Sequence, residues 1–343
     1  MIRLHNALWP GLVGKVPGTP EAPLGLDQML GLTSAARVDG RGFDGVDLFL
    51  GQPHVDPYAN KDDLRRLADR IAALGLRIGT LVAPVWPSAG GGRALGDAAE
   101  RRRFVAAVAA ACRVGRILDD HGVRADRLIR IDSAADAGEF VTDPAGHRRR
   151  IIATFAEAAA VAADAGQCLA AEGEVCWAGM ATWRDMLAIL EGVGRPEALG
   201  FQADLAHTYF YLVGAVGDPL VADPSDPEDF AAGYGRLVEA LGPWTVDLHI
   251  AQTDGTLHGG GDHAPTGRHS PPGDPRGRLD VVACARRWLL DDRGQPRPAI
   301  RHLCWDGCLF PNAVLEDAAT WTAVLSLMQA VTHELPMNPE YLP

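Results

Sequence analysis

The sequence predicts an α/β protein: a single (β/α)8 barrel in one domain spanning residues 1–343, with a long loop at about 252–278 after the seventh strand. Three observations carry this. Eight short apolar or β-branched runs alternate with longer amphipathic stretches that carry helix start and stop signals. Eight strand–helix units are the number that right-handed crossovers close into a barrel. The competing fold, a doubly wound open sheet, places a Gly-rich phosphate turn after its first strand. Here that strand runs into Trp9-Pro10-Gly11-Leu12-Val13-Gly14, which lacks the spacing.

In chain order the strands are expected at Ile2–Trp9, Phe43–Leu50, Leu76–Ala83, Arg127–Asp132, Gln167–Glu174, Leu199–Asp204, Thr245–Ile250 and Ile300–Asp306. Helices are expected near 24–36, 60–74, 97–121, 144–165, 182–193, 228–241, 279–291 and 315–334. Gly75, Gly122, Gly166 and Gly242 stand where a helix ends on a left-handed residue. Asp143-Pro144 sets an N-cap and a first-turn proline in order. Thr182 with Asp185 approximates a capping box. Gly90-Gly91-Gly92 after the third strand reads as a loop rather than a phosphate cradle. Segment 252–278, dense in Gly, Pro, His and Asp, reads as a covering over the barrel mouth.

Composition narrows the function. Lys and Arg number 32 against 44 Asp and Glu, a net charge of −12 with a sequence pI near 5.3. The densest basic runs, Arg101–Arg103 and Arg148–Arg150, fall at the starts of Ala-rich helical stretches. Nucleic acid and anionic membranes are therefore poor partners. No 18-residue apolar stretch spans a membrane, and the start lacks a secretory signal. Six cysteines without CxxC pairing, Cys304 and Cys308 among them, read as reduced thiols, so a cytoplasmic location is expected.

In a barrel the reactive groups project from the C-terminal ends of the strands. The fifth run ends Glu172-Gly173-Glu174, two carboxylates two residues apart and so on one face of a strand. Facing a barrel mouth they repel unless a cation or shared proton relieves them, although Glu174 is also readable as a solvated loop residue. The sixth run ends Asp204-Leu205-Ala206-His207, a carboxylate with an imidazole one helical turn on; an Asp there also suits a plain N-cap. His249 lies on the same strand face as Asp247, and the eighth run closes on Asp306 before Gly307. Glu172, Asp204, His249 and Asp306 end four consecutive strands, which a closed barrel brings to one cavity. Three carboxylates and one imidazole suit Mn²⁺, Mg²⁺ or Co²⁺ better than a thiolate-type zinc site.

These residues resemble the xylose isomerase-like TIM barrels, the sugar phosphate isomerase/epimerase superfamily. The match rests on Leu169–Glu172, the Asp204–His207 pair, His249, the loop His269-Ser270-Pro271-Pro272-Gly273 and the closing acid, in order over roughly residues 40–310. The chain departs in carrying Asp306 where relatives have Glu, in a longer stretch between His249 and His269, and in its opening strand. Abasic-site endonucleases of the same superfamily require histidines that are missing after Val82-Ala83-Pro84, and an Asp where Gly267 stands.

The resemblance implies one divalent ion, Mn²⁺ above Mg²⁺, Co²⁺ or Zn²⁺, held by Glu172, Asp204, His249 and Asp306. It would act as a Lewis acid on a keto-sugar or related polyol and stabilise an enediolate. The resemblance further implies Glu172 or Glu174 as base, Asp306 as a further acid, and His54, His207, Arg268, His269 and Trp305 as substrate contacts. Arg130 and Asp132 are lining residues or an internal ion pair. Trp9, Trp86, Trp177 and Trp305 are flat faces for sugar rings or mouth packing. The expected function is isomerisation or epimerisation of a small-molecule sugar. Two alternatives are a metal-dependent lyase, dehydratase or deglycosidase acting by β-elimination on a 3-keto sugar or glycoside, and a non-catalytic sugar-binding subunit. Relatives often form homo-oligomers, an analogy only.

Overall fold

The computed structural model describes residues 2–15, 21–124, 126–259 and 265–335. Eight parallel strands close into a barrel: β1 (Arg3–Ala7), β2 (Gly45–Phe49), β3 (Arg77–Val82), β4 (Leu128–Ile131), β5 (Cys168–Glu172), β6 (Leu199–Asp204), β7 (Thr245–Ile250) and β8 (His302–Trp305). Each strand pairs with its sequence neighbours, and β1 pairs with β8 in the register Arg3↔His302 through Asn6↔Trp305 to shut the ring. All eight strands lie inside the ranges expected from sequence.

The helices follow from their ends. Asp97 opens the helix Ala98–Asp120 with a complete capping box to Glu100, and Asp143 caps Pro144–Asp164 by accepting from the Gly146 N–H at 3.0 Å. Gly75, Gly122 and Gly166 end helices with φ of 73°, 75° and 70°. Gly242 does not; at φ −57° it begins a 3-10 turn, Gly242–Trp244, that leads into β7. The helix Leu205–Val213 after β6 is absent from the sequence reading. All its residues but Val213 are buried, so it carries no polar stripe and none of the amphipathic period that marks a helix in sequence. The 252–278 segment folds back through a two-residue hairpin, Leu257–His258 with Thr266–Gly267, and a bridge between Gln252 and Ser270. Residues 260–264 of that loop lie outside the described residues.

The barrel interior departs from the usual filling of branched apolar side chains. Near the N-terminal ends of the strands, His302 bridges two carboxylates, with Nε2 at 3.0 Å from Asp47 and Nδ1 at 2.9 Å from Asp126. His5 lies 2.9 Å from Asp47 and stacks on His302 at 4.3 Å, while Arg3 donates to Asp126 at 2.7 and 2.8 Å. Two glycines make room for these rings. A Cβ at Gly79 would stand 2.4 Å from Asp47 and 2.5 Å from His5, and one at Gly45 would stand 2.6 Å from His5. Above this floor, Thr80 and Gln202 both donate to Asp247, at 2.8 and 2.9 Å. Gln202 also meets Nε2 of His249, so the floor and the mouth are joined by one buried amide.

Candidate functional site

At the C-terminal ends of β5 to β8, the ligating atoms of Glu172, Asp204, His249 and Asp306 all lie within 4.8 Å of one another, and all four residues are buried. Three strands deliver their residue directly: Glu172 and Asp204 end β5 and β6, and His249 precedes the last residue of β7. Asp306 follows β8 by one residue.

Three of the four are held by one part of the side chain and present another, whereas both oxygens of Asp306 accept hydrogen bonds. Asp204 Oδ1 accepts from the N–H groups of Ala206 and His207 at 2.8 and 3.0 Å, capping the helix Leu205–Val213; its Oδ2 is buried without a hydrogen-bond partner. The two sequence readings of this residue, cap and ligand, thus describe its two oxygens. Glu172 Oε2 accepts from Nε of Arg130 at 2.8 Å, while Oε1 has no hydrogen bond and faces His249 Nδ1 at 3.6 Å. Asp306 accepts from the Cys308 N–H at 2.7 Å and from the Trp9 indole at 3.1 Å. Trp9 also stacks on His249 at 5.3 Å.

Electrostatics separate the carboxylates. Burial raises the Glu172 pKa, and Arg130, His249 and His207 only partly oppose it. Asp306 is also buried, but His269 and His249 outweigh that and hold it well below the ordinary carboxylate range. Burial lowers the pKa of His249, yet contact with Asp306 and the charges of Asp247 and Glu172 lift it to about 9. His269, likewise buried, is lifted to about 10 by Asp204 and Asp306. In the protein alone these imidazoles hold protons among surplus carboxylates.

Glu174 is buried rather than solvated. Its Oε1 lies 3.3 Å from His207 Nε2 and 3.6 Å from Arg130, and its Oε2 accepts from Thr266 at 2.6 Å. His269, from the long loop, donates from Nδ1 to the Asp306 carbonyl at 3.0 Å, and its Nε2 sits 3.6 Å from Asp204. Arg130 bridges Glu172 and Asp132 and lies over Trp86, so it is both a lining residue and an internal ion pair. The cluster opens into a cavity of about 1040 Å³.

Three expected substrate contacts do not face that cavity. His54 turns Nε2 to the Leu24 carbonyl at 2.8 Å, and Gln52, Asp56 and Tyr58 form the wall in its place. Arg268 reaches Asp254 at 3.4 Å and is 43% exposed. Trp305 is fully buried but does not line the cavity; strand alternation sets it on the opposite face from Cys304 and Asp306. The same alternation separates Arg268 from His269. Trp9 and Trp86 do line the cavity, whereas Trp177 stands behind Trp86 with its ring 6.3 Å away. Gln202 and Thr266 were missed. Gln202 is legible two residues before Asp204 on the same strand face, while no sequence signal marks Thr266.

A family model described as xylose isomerase-like TIM barrel matches residues 35–300. No curated protein matches the chain in sequence. Among solved structures, an L-ribulose 3-epimerase superposes with a TM-score of 0.61 at 18% identity, with 100% of both chains covered. The IOLI protein with a binding zinc atom gives 0.62 at 14% identity, covering 97% of this chain and 98% of its own. A xylose isomerase-like TIM barrel protein from Mycobacterium smegmatis in complex with magnesium gives 0.60 at 15%, covering 98% and 97%. At these identities the likeness is one of fold.

Proposed function

Because the chain belongs to the xylose isomerase-like TIM barrel family, we propose that it is a divalent-metal-dependent isomerase or epimerase acting on a keto-sugar. The observation that carries this is the four-residue cluster in which Glu172 Oε1, Asp204 Oδ2 and His249 Nδ1 are buried, close together and without hydrogen bonds. Buried polar atoms without partners are rare and costly, and a cation ligated by all three would satisfy them together. Oxygen-rich ligation with one imidazole suits Mn²⁺ first, then Mg²⁺, Co²⁺ or Zn²⁺; the zinc and magnesium named with two of the structural neighbours agree with that range. Bound there, such an ion supplies Lewis acidity to the hydroxyl and carbonyl oxygens of the sugar.

The chain's own residues divide the remaining work. Glu172, with its pKa raised by burial and Oε2 fixed by Arg130, suits removal of a proton from the carbon beside the carbonyl. Glu174 and His207, 3.3 Å apart, form a second proton-handling pair on the cavity wall. Asp306 stays ionised and braced by Trp9, which narrows it to a ligand rather than an acid. Environments that push neighbouring titratable groups apart are how acid and base roles are assigned. His207 and His269 line the cavity and supply contacts for substrate oxygens.

The test is metal content of the purified protein by mass spectrometry, before and after adding Mn²⁺, with Asp204→Ala beside it. About one ion per chain, lost in the variant, is expected. Incubating the loaded protein with keto-sugars in D₂O should then place deuterium in recovered sugar, whereas release of a leaving group would indicate elimination. Failure to hold an ion under either condition overturns the reading.

A further inference from the structure

The cavity is divided by chemistry. Most of its polar groups come from the later strands and the long loop: Glu172, Glu174, His207, Thr266, His269 and Asp306. The wall from the end of β2, the loops after β1, β2 and β3 and Leu309 is mostly apolar, with Leu12, Phe49, Tyr58 and Trp86, interrupted by Gln52, Asp56 and Ser88. Trp9 lies at the cluster itself, against Asp306 and His249. Phe49 and Trp86 pack at 5.5 Å, a pair tilted by 36°. Tyr58, 64% exposed, extends this wall to the rim. At about 1040 Å³ the space reaches the upper end of the roughly 300–1,000 Å³ that holds drug-sized ligands. A lone sugar ring set at the Glu172 end leaves the aromatic wall uncovered.

The charge of the lining is equally one-sided. Among the described lining residues Arg130 is the single Lys or Arg, and its guanidinium is committed to Glu172, Asp132 and Glu174. Stretches 16–20 and 260–264 contain no Lys or Arg. Four lining residues, Asp56, Glu172, Glu174 and Asp306, are acids. A divalent cation at the cluster meets three carboxylates, Glu172, Asp204 and Asp306, so its charge is already exceeded. Among the described lining residues, a phosphate or carboxylate on the substrate would find no Lys or Arg that is not already paired, and the imidazole of His269 is already flanked by Asp204 and Asp306.

We propose that the substrate is an uncharged sugar bearing an apolar ring substituent, with the sugar at Glu172 and Glu174 and the substituent lying on the Trp86–Phe49 wall. Aromatic faces favour such a group through burial of area and stacking. A substituent on the anomeric oxygen would lock the ring closed, so the reacting carbonyl would be a ring ketone. The inference rests on the keto-sugar reading for the orientation of the sugar, but its test does not depend on turnover.

Binding of phenyl β-D-glucopyranoside, glucose and glucose 6-phosphate to the Mn²⁺-treated protein is measured by calorimetry, with metal content determined on the same samples. Phenyl glucoside should bind at least tenfold more tightly than glucose, and glucose 6-phosphate no more tightly than glucose. Trp86→Ala should remove most of the phenyl preference with metal content unchanged. Tyr58→Ala, at an exposed position that does not threaten folding, should lower it about twofold to threefold. Equal affinity for phenyl glucoside and glucose, no binding of any probe, or preference for the phosphate overturns the inference, and with metal retained it leaves the proposed function standing. Phenyl preference in a protein that holds no metal does the reverse.

Discussion

The barrel holds two buried clusters of carboxylates and histidines, one at its mouth and one at its floor, and they differ in how completely they satisfy themselves. His5, Asp47 and His302 at the floor meet the same proximity of 4.8 Å as Glu172, Asp204, His249 and Asp306 at the mouth. At the floor, both carboxylates bracket His302, and Arg3 adds a second cation at Asp126. Asp47 and Asp126 are buried, which alone would raise their pKa values, yet His302 holds both well below the ordinary range. At the mouth, three of four ligating side chains keep an atom without a hydrogen bond. Residue type and distance do not distinguish a structural ion network from a metal centre. Unmet carboxylate capacity does: the floor leaves His5 Nε2 without a partner but pairs both oxygens of Asp47 and Asp126, whereas the mouth leaves Glu172 Oε1 and Asp204 Oδ2 unpaired.

That contrast breaks most visibly at His302. Removing the cation between two buried carboxylates should cost about 3–5 kcal/mol, so His302→Gln is expected to lower stability by that amount in urea unfolding and leave Mn²⁺ affinity within twofold. A loss under 1 kcal/mol would mean the floor carries no charged bridge. The mouth should behave oppositely. Asp204→Asn keeps an oxygen able to cap the helix but removes a charge from a carboxylate-rich cluster. Mn²⁺ affinity should fall at least about 100-fold, roughly 2.7 kcal/mol, with the stability of the metal-free protein unchanged or increased. Unchanged affinity by calorimetry would refute the ligand assignment.

Gln202 joins the two regions and should show both effects at reduced size. Gln202→Leu leaves Asp247 short of a donor and His249 without its orienting amide. Loss of such a supporting contact typically costs about 10–100-fold in metal affinity, and a buried acceptor left short of a partner costs about 1–3 kcal/mol. A variant affected in only one readout would show the regions to be independent.

The smallest effect is the floor's pH dependence. Depressed carboxylates such as Asp47 and Asp126 contribute stability above their unfolded pKa near 3.9 and lose it as pH falls. Burial lowers the His302 pKa, but Asp47 and Asp247 hold it well above its ordinary value. Its contribution is therefore complete below its unfolded pKa near 6.5 and declines as pH rises towards the folded value. On these groups stability of the metal-free protein is highest between about pH 4 and 6.5, and His5, whose pKa burial and His302 lower, draws the maximum toward the upper end of that window. His302→Gln should flatten the alkaline side; an unaltered slope would point to another group.

Most of the fold was legible because β/α alternation is a local signal, written in runs of a few residues and in caps such as Asp143 and Thr182. The helix Leu205–Val213 was not, since burial on all sides erases the polar stripe that reveals a helix. At the mouth, the four-residue cluster could be read because each residue ends a strand and closure of the barrel brings strand ends together. Arg268 and Trp305 were misplaced by reading the residues beside His269 and Asp306 as their companions, where an extended chain turns neighbours to opposite faces. The floor was invisible for a different reason. Asp47 and His302 are 255 residues apart, and only the register of the closed sheet makes them partners.

Gly45 and Gly79, which leave space for the His5 ring, also constrain how this interior could be rebuilt. A side chain added at Gly79 first meets the side chains of Asp47 and His5, whereas one at Gly45 meets the backbone carbonyl of Arg77 as well as His5. At Gly79, a barrel with the usual branched filling is therefore reached from this one by losing the ionic residues before the glycine is filled. The reverse order passes through an intermediate that is both overpacked and charged. Gly79 acts as a ratchet: it makes the floor network affordable, and the network in turn makes it hard to replace, while Gly45 is held by the neighbouring strand whatever the network becomes.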